Sequence, residues 1–282
     1  MPGPTTPSYP VSTTGKLRYI VPPKDGARAI YVPGLTAAAA EQRNYTHGER
    51  EVVLENLRGK EDTASLDTTG FQFFHEPAKH TSFANDEEIV REYYPETIEI
   101  IKRLTGASRV ELFDHTIRRR RPGSDDQPGL RQPALQVHVD QTFKAAIARV
   151  HRHLPASDAP KLLERRFQLI NIWRPISHPA IDWPLALCDF RSVNPDTDTF
   201  PMTLVFPDHE GEVMGVQYNE NHKWKYLHGM TPDEIVLIKC SDSIRDGSVA
   251  LFTPHTAFSD PTTPEGTPLR ESIEVRALVF YD

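Results

Sequence analysis

From residue 167 to the end, the chain is a succession of short β-favouring runs. "FQLINIWRPI", "PMTLVFP", "EVMGVQYN", "KWKYLHG", "EIVLIKCSD", "SVALFTPHTAF" and "ESIEVRALVFYD" are rich in branched and aromatic residues. Turn-rich pieces such as "PDHEG", "TPDE", "RDG" and "PTTPEGTP" separate them. Many short strands with little helix between them point to an antiparallel sandwich or barrel of the jelly-roll kind. The expected class is therefore mainly β with flanking helices.

The first half is more mixed. "KLRYIV" and "AIYVPG" read as strands, and "THGEREVVLENLRGK" has helical spacing. The clearest helix runs through "NDEEIVREYYPETIEIIKRLTG". Asn85 can cap it with Glu88 three residues on, Ile89, Tyr93, Ile101 and Leu104 can line one side, and Gly106 follows its end. Pro95 is expected to kink or split it. "TFKAAIARVHRHL" and "SDAPKLLERRF" suggest two further short helices. Residues 1–16, Pro- and Thr-rich, read as a disordered leader, and residues 17–282 as a single domain with an N-terminal helical elaboration.

The bulk numbers narrow the function. With 38% hydrophobic and 25% charged residues, the chain can build an ordinary core. A net charge of −7 argues against a nucleic-acid surface. Its one basic run, "IRRRR" at 117–121, is followed by "PGSDD" and reads as a solvated strand edge or loop, or else as an anion contact. Cys188 and Cys240 cannot make a disulfide framework and are read as core thiols in a reducing compartment. No apolar run approaches the ~18 residues of a membrane span, and the N-terminus lacks a secretory apolar segment. A cytoplasmic location is the simplest expectation.

Chemistry enters at "LQVHVDQTF", residues 135–143. If this is a strand, His138 and Asp140 share a face with Cα atoms about 7 Å apart, so an imidazole and a carboxylate can converge on one ion. The alternative is a buried histidine bonded to a neighbour. "HGE" offers His47 and Glu49 at the same spacing, but in a polar, helical-looking context. A third ligand has to come from a distant strand, and His255 ends the apolar run "SVALFTPH". Two histidines and one carboxylate form the facial triad that leaves open positions on Fe(II). In the last strand Arg270 and Ser272 again share a face, where a guanidinium fork and a hydroxyl can hold a carboxylate. A dicarboxylate chelating the metal by its keto-acid end would set its far carboxylate there. Arg270 could instead pair with Glu271 or Glu274, and Arg276, on the same parity, can replace or brace it.

With "VHVDQT", "INIWRPI", "WPLALCDFRS", "NENHKWKYLHGMTPDEIVLIKCSDS", "PHTAF" and "RESIEVRALVF" assembled, the chain resembles the Fe(II)/2-oxoglutarate-dependent oxygenases. It is most similar to the fungal hydroxylase/desaturase family, which includes the gibberellin desaturase and relatives of the cephamycin 7α-methoxylation protein. The resemblance covers roughly residues 107–282. It implies a double-stranded β-helix (jelly roll, cupin-like), Fe(II) on His138, Asp140 and His255, and 2-oxoglutarate anchored by Arg270 with Ser272, with O2 as oxidant. Hydroxylation or desaturation of a small-molecule intermediate in fungal secondary metabolism is the implied activity. The long proline-rich segment between His255 and Arg270 leaves Arg276 and Arg174 as alternative anchors.

Asn171 is read as bonding the co-substrate, orienting a ligand, or satisfied by backbone. Trp173, Trp183, Tyr218, His222, Trp224 and Tyr226 supply aromatic surface near the expected barrel mouth, while His222 and His228 are read as supporting rather than ligating. The expected partner is a small-molecule substrate, with no nucleic acid and no membrane, and homodimerisation is left open. Two competing classes share the architecture. One is a cupin-like metal-dependent isomerase or hydrolase using Zn(II) or Mn(II) without 2-oxoglutarate, against which Arg270 and Ser272 speak. The other is a non-catalytic pathway partner, against which the intact metal and arginine elements speak.

Overall fold

In the computed structural model, residues 9–32, 42–127 and 129–281 are described. Two sheets carry the fold. The smaller runs β5 (Phe71–His75), β13 (Glu234–Asp242), β8 (Phe167–Pro175), β15 (Glu271–Phe280), β6 (Arg109–Arg119), every pair antiparallel. Every residue of β8 is buried, because it is central and covered on both faces.

One face of this sheet carries Ile170, Ile172, Ile235, Leu237, Ile273 and Val275 against the N-terminal helix. That helix starts as α1 (Asp86–Glu88), loosens into a π turn over Ile89–Tyr93 and continues as α2 (Tyr94–Thr105). The expected details are present. The Asn85 side chain accepts from the Glu87 and Glu88 amides, and Gly106 closes the helix at φ 74°, donating to the Lys102 carbonyl. Pro95 sits in the first turn of α2, directly after the π turn, so the helix is split where its amide is missing.

The larger sheet has ten strands: β1 (Ser12–Val21), β4 (Thr46–Asn56), β12 (Trp224–Tyr226), β9 (Leu185–Cys188), β14 (His255–Ala257), β7 (His138–Val139), β11 (Glu210–Val216), β10 (Thr199–Val205), β2 (Ala29–Val32) and β3 (Gln42–Arg43). It curls, because the Val137 amide donates to the Arg18 carbonyl and brings β1 alongside the strand leading into β7. Leu17, Tyr19, Leu54, Val137, Val139, Trp224, Tyr226 and Phe258 fill the space so enclosed. With Val137 and Val139 pointing into that core, His138 between them points to the other side, toward the small sheet. Two short helices, α3 (Phe143–His153) and α4 (Ala159–Leu163), lie where the sequence suggests them. α3 packs Ala146 and Val150 on Phe167, Leu169, Leu278 and Phe280.

Two expectations need correction. Residues 46–56, read as helical, are the strand β4, paired with β1 along ten positions from Ser12 opposite Glu55 to Val21 opposite Thr46. The run "EVVLEN" fits both periods, and a long partner strand decides for extension. Order also begins before residue 17: β1 starts at Ser12, and the Thr13 hydroxyl donates to Asp260 at 2.8 Å, tying this end to the β14–β15 connection. Residues 1–8 of the expected leader lie outside the described residues.

Candidate active site

Three adjacent short strands bring the ligand candidates together. His138 in β7 pairs directly with His255 in β14, and with Gly215 in β11 on its other side. A side chain on Gly215 would meet Met202 and Phe200 at 2.6–2.7 Å, so only glycine lets them close over this position. The rings of His138 and His255 lie 4.5 Å apart. Asp140 Oδ1 is 3.1 Å from His138 Nε2 and 3.7 Å from His255 Nε2. Among the described residues this is the one group of three or more His, Cys, Asp or Glu whose ligand atoms lie within metal-binding reach, here within 4.8 Å of one another.

The hydrogen bonds behind these atoms decide their chemistry. His138 Nδ1 donates to the Gln136 carbonyl at 2.7 Å and His255 Nδ1 to the Thr253 carbonyl at 3.0 Å. A carbonyl can only accept, so each Nδ1 carries the proton and each neutral ring turns its Nε2 lone pair inward. Burial, reinforced by the neighbouring His138, pushes His255 toward its neutral form. Asp140 is tied in the same way. Its Oδ2 accepts from Asn171 Nδ2 and Arg276 Nε, both at 2.8 Å, leaving Oδ1 to face the imidazoles. Burial alone would raise this carboxyl, but Arg276 and the two histidines outweigh it and hold Asp140 well below the usual carboxylate range. Three electron-pair donors therefore converge with no proton of their own between them, which is a hole shaped for a cation.

Asn171 thus takes one of the roles the sequence left open to it, orienting the Asp140 carboxylate, while Arg276, expected to replace or brace Arg270, braces Asp140 instead. Both also bond Glu274, Asn171 at 3.0 Å and Arg276 at 2.9 Å, and Arg276 reaches Asp114 and Thr116 as well. Its three nitrogens are committed, so it is not placed to anchor a co-substrate. Arg174 is excluded as an anchor, because it lies on the opposite face of β8, bonded to the Tyr93 hydroxyl and the Glu76 and Pro232 carbonyls.

Of the three candidate anchors, Arg270 is the one whose side chain lines the space beside His138 and His255. Beside them lies a cavity of about 20 Å3 lined by Arg118, His138, Trp173, Leu185, His255, Arg270 and Glu274, among others. Arg270 is buried, stacks on Trp173 at 5.3 Å and donates NH1 to the Trp183 carbonyl at 2.7 Å, but its Nε has no partner. Among the described residues its side chain forms no ion pair, contrary to the surface-pair alternative with Glu271 or Glu274. Burial and then the like charge of Arg118 lower it to about 9. A desolvated cation with an unused donor is a site waiting for an anion. Ser272 is buried next to it, its backbone opposite Arg118 of the edge strand β6. Arg118 was not singled out by sequence beyond its place in "IRRRR"; it lines this cavity and donates NH1 to the Gln132 carbonyl at 2.8 Å. Its neighbours Arg119 and Arg120 instead pair with Glu271 and Asp182.

Of the expected aromatic rim, Trp173 lines the cavity, and Trp183 is half-buried, its carbonyl accepting from Arg270 and its ring under Arg120. Trp224 and Tyr226 do not; they are buried in the core enclosed by the curled sheet, because their strand faces inward there. His222 bonds Asp198 and the Tyr19 hydroxyl, and the His228 carbonyl accepts from Arg58, both supporting roles. His47, the decoy, lies in β4 and bonds Gln136 at 2.7 Å.

Comparison with known proteins agrees with this geometry. The family model described as "Oxidoreductase/YMDC permease-like domain" matches residues 17–280. The hydroxylase/desaturase efuI of Hormonema carpetanum is 37% identical over 84% of this chain and 85% of its own length. The Fe(II)/2-oxoglutarate-dependent dioxygenase nvfI of Aspergillus novofumigatus is 34% identical over 95% and 92%. This chain belongs to the fungal hydroxylase/desaturase family of Fe(II)/2-oxoglutarate-dependent oxygenases. A solved structure of the iron and α-ketoglutarate-dependent endoperoxidase NvfI superposes with a TM-score of 0.84 at 31% identity, over 96% of this chain and 98% of that one. The family's jelly-roll architecture is thus the one seen here. As for the word "permease", among the described residues no helix is long and apolar enough to cross a membrane.

Proposed function

We propose that this protein is a non-haem Fe(II)/2-oxoglutarate-dependent oxygenase that hydroxylates or desaturates a small-molecule intermediate of fungal secondary metabolism. In this reading residues 17–282 act as one catalytic domain, His138, Asp140 and His255 hold the iron, and Arg270, with Ser272 and Arg118 beside it, takes the far carboxylate of 2-oxoglutarate. The observation that carries it is the convergence of two Nε2 lone pairs and one carboxylate oxygen, each fixed from behind by a hydrogen bond. The donor set suits Fe(II), and the unpartnered Arg270 Nε suits a dicarboxylate.

When bound, iron with 2-oxoglutarate and O2 supplies an oxidant able to take hydrogen from an unactivated C–H bond. The chain's own work is positional. The Gln136 and Thr253 carbonyls keep the two imidazoles in one tautomer and orientation. Asn171 and Arg276 restrict Asp140 to one free oxygen. Trp173, Leu185 and Ala257 form an apolar wall that keeps water from the ligands. Both cysteines are free and buried, which supports a cytosolic enzyme.

The test is anaerobic titration of the protein with Fe(II) and then 2-oxoglutarate, followed by the weak visible charge-transfer band of the chelate. The band is expected at one equivalent of each. Iron binding without any effect of 2-oxoglutarate would instead support the cupin-like isomerase or hydrolase, and no iron binding the non-catalytic partner.

A further inference from the structure

Two guanidinium groups line the cavity beside the histidines, Arg118 and Arg270, and among the described residues neither pairs with a carboxylate. Arg270, 2% exposed, donates NH1 to the Trp183 carbonyl and leaves Nε unpartnered. Half-buried Arg118 donates NH1 to the Gln132 carbonyl at 2.8 Å, the one hydrogen bond of its side chain among the described residues. The carboxylates of this sheet face are engaged elsewhere, since Asp140, Glu274 and Asp114 all bond Arg276. Strand register sets the two free cations around one point. Ser272 lies opposite Arg118 across the β15–β6 ladder and two residues beyond Arg270 along the chain. Paired residues of adjacent strands share a face, as do residues i and i+2 of one strand. Arg118, Arg270 and Ser272 therefore turn to the same side. After burial, the like charge of Arg118 is the largest influence lowering Arg270. Like charges held this close repel, and an anion between them replaces the repulsion with attraction to both.

We propose that Arg118 is a second binding residue for the co-substrate, whose far carboxylate is shared between its guanidinium group and that of Arg270, an inference that rests on the 2-oxoglutarate reading above. Arg270 offers Nε, and Arg118 keeps Nε and NH2 free of partners among the described residues. A carboxylate can thus be met from both sides while the bonds to the Trp183 and Gln132 carbonyls stay in place. Arg118 is then more than a neighbour of the anchor: it makes a contact of its own. The pair favours a keto acid with two ionised ends over one with an apolar tail, because only the former joins the two cations.

The test is a cycle between the arginine and the ligand's own carboxylate. Anaerobic titration of the Fe(II) protein, followed by the chelate band, reads it without turnover. 2-Oxopentanoate keeps the keto-acid end of 2-oxoglutarate and carries a methyl group in place of the far carboxylate. Arg118→Met, which keeps an apolar stem, should raise the dissociation constant of 2-oxoglutarate by roughly 10- to 150-fold, the range for hydrogen bonds to charged groups. The same variant should bind 2-oxopentanoate within about twofold of the wild type, the scatter of independent sites. Arg118→Lys keeps the charge without the fork and should fall between wild type and Met for 2-oxoglutarate. Equal changes for the two keto acids, or none for either, would make Arg118 a structural residue bonded to Gln132 and overturn the proposal. Should Arg118→Met fail to fold, Arg118→Lys decides by the same comparison. A loss confined to 2-oxoglutarate supports the shared contact, and an equal loss for both overturns it. The underlying reading fails in a different way: a wild-type protein that binds Fe(II) but gives the chelate band with neither keto acid has no co-substrate site for Arg118 to serve.

Discussion

The small sheet carries two buried charge networks, and they are built from the same parts to opposite ends. At the inner face, Asp140, Asn171, Glu274 and Arg276 interlock beside the histidines. At the far end of β8 and β13, fully buried Lys239 donates to Asp242 at 2.7 Å and to Asp67 at 2.8 Å, while Arg166 bonds both carboxylates and Gln168 bonds Asp242. No polar side-chain atom of this second network is buried without a partner. Near the first, Asn171 Oδ1 and Arg270 Nε have none, and three donor atoms face one another. A network that satisfies itself is architecture, and one that leaves lone pairs and a guanidinium nitrogen over has been built around something else.

Mutations should divide along that line, and the largest effect belongs to the ligands. His255→Ala should abolish iron-dependent turnover and also the rise in Tm that Fe(II) gives the wild-type protein by mass action. A variant that keeps either one refutes the ligand assignment. In the second network, Asp242→Ala strips a buried lysine of one of its two carboxylates. The expected cost is roughly 3–5 kcal/mol, or a fall in Tm of about 10 °C, with Fe(II) affinity unchanged. The pair Lys239→Met with Asp242→Leu should recover most of it, since both charges then go together. A thermal scan of Asp242→Ala within about 2 °C of wild type would mean that this network does not hold the fold. Smaller still is Asn171→Ala, which removes one of two bonds to Asp140 Oδ2. Iron affinity should fall about 10- to 100-fold while Tm without metal moves little. An unchanged affinity would make Asn171 mere packing.

The same contrast explains what could be seen in the sequence. That His138 and Asp140 turn toward one point was legible because strand parity is local: i and i+2 share a face whatever the rest of the chain does. The helix at 86–105 was legible for a similar reason, with a capping Asn85 and a closing Gly106 written beside it. Residues 46–56 were not, since helix or strand was decided by β1, some thirty residues away. Nor was the division of labour among the arginines. Arg118 reads as one of a basic run until β6 is paired with β15, and Arg276 reads as a second Arg270 until β7 lays Asp140 across it. Which side chain is a partner and which is left over depends on three strands meeting, and spacing within one strand carries no record of that.

Acid should take the two networks apart in order. Iron competes with protons for imidazoles, whose ordinary pKa is about 6.5, so affinity for Fe(II) should begin to fall as pH drops below that range. Burial favours neutral His255 and delays the loss without removing it. The Lys239 network responds later. Burial alone would raise the Asp242 carboxyl, but the Arg166 bond and the Lys239 charge outweigh it and depress its pKa in the folded state. A group depressed in this way stabilises the fold fully above its unfolded value, about 3.9 for aspartate, and the contribution is lost as pH falls through the folded value. Stability owed to Asp242 should therefore persist to about pH 4 and decline below it, after iron has already been released. Asp242→Asn should start from a lower Tm and lose less of it over that acid range, because it has no proton to take up. Metal release and unfolding that coincide at one pH in the wild type would mean that the two networks are a single cooperative unit, and the division between site and scaffold would fail.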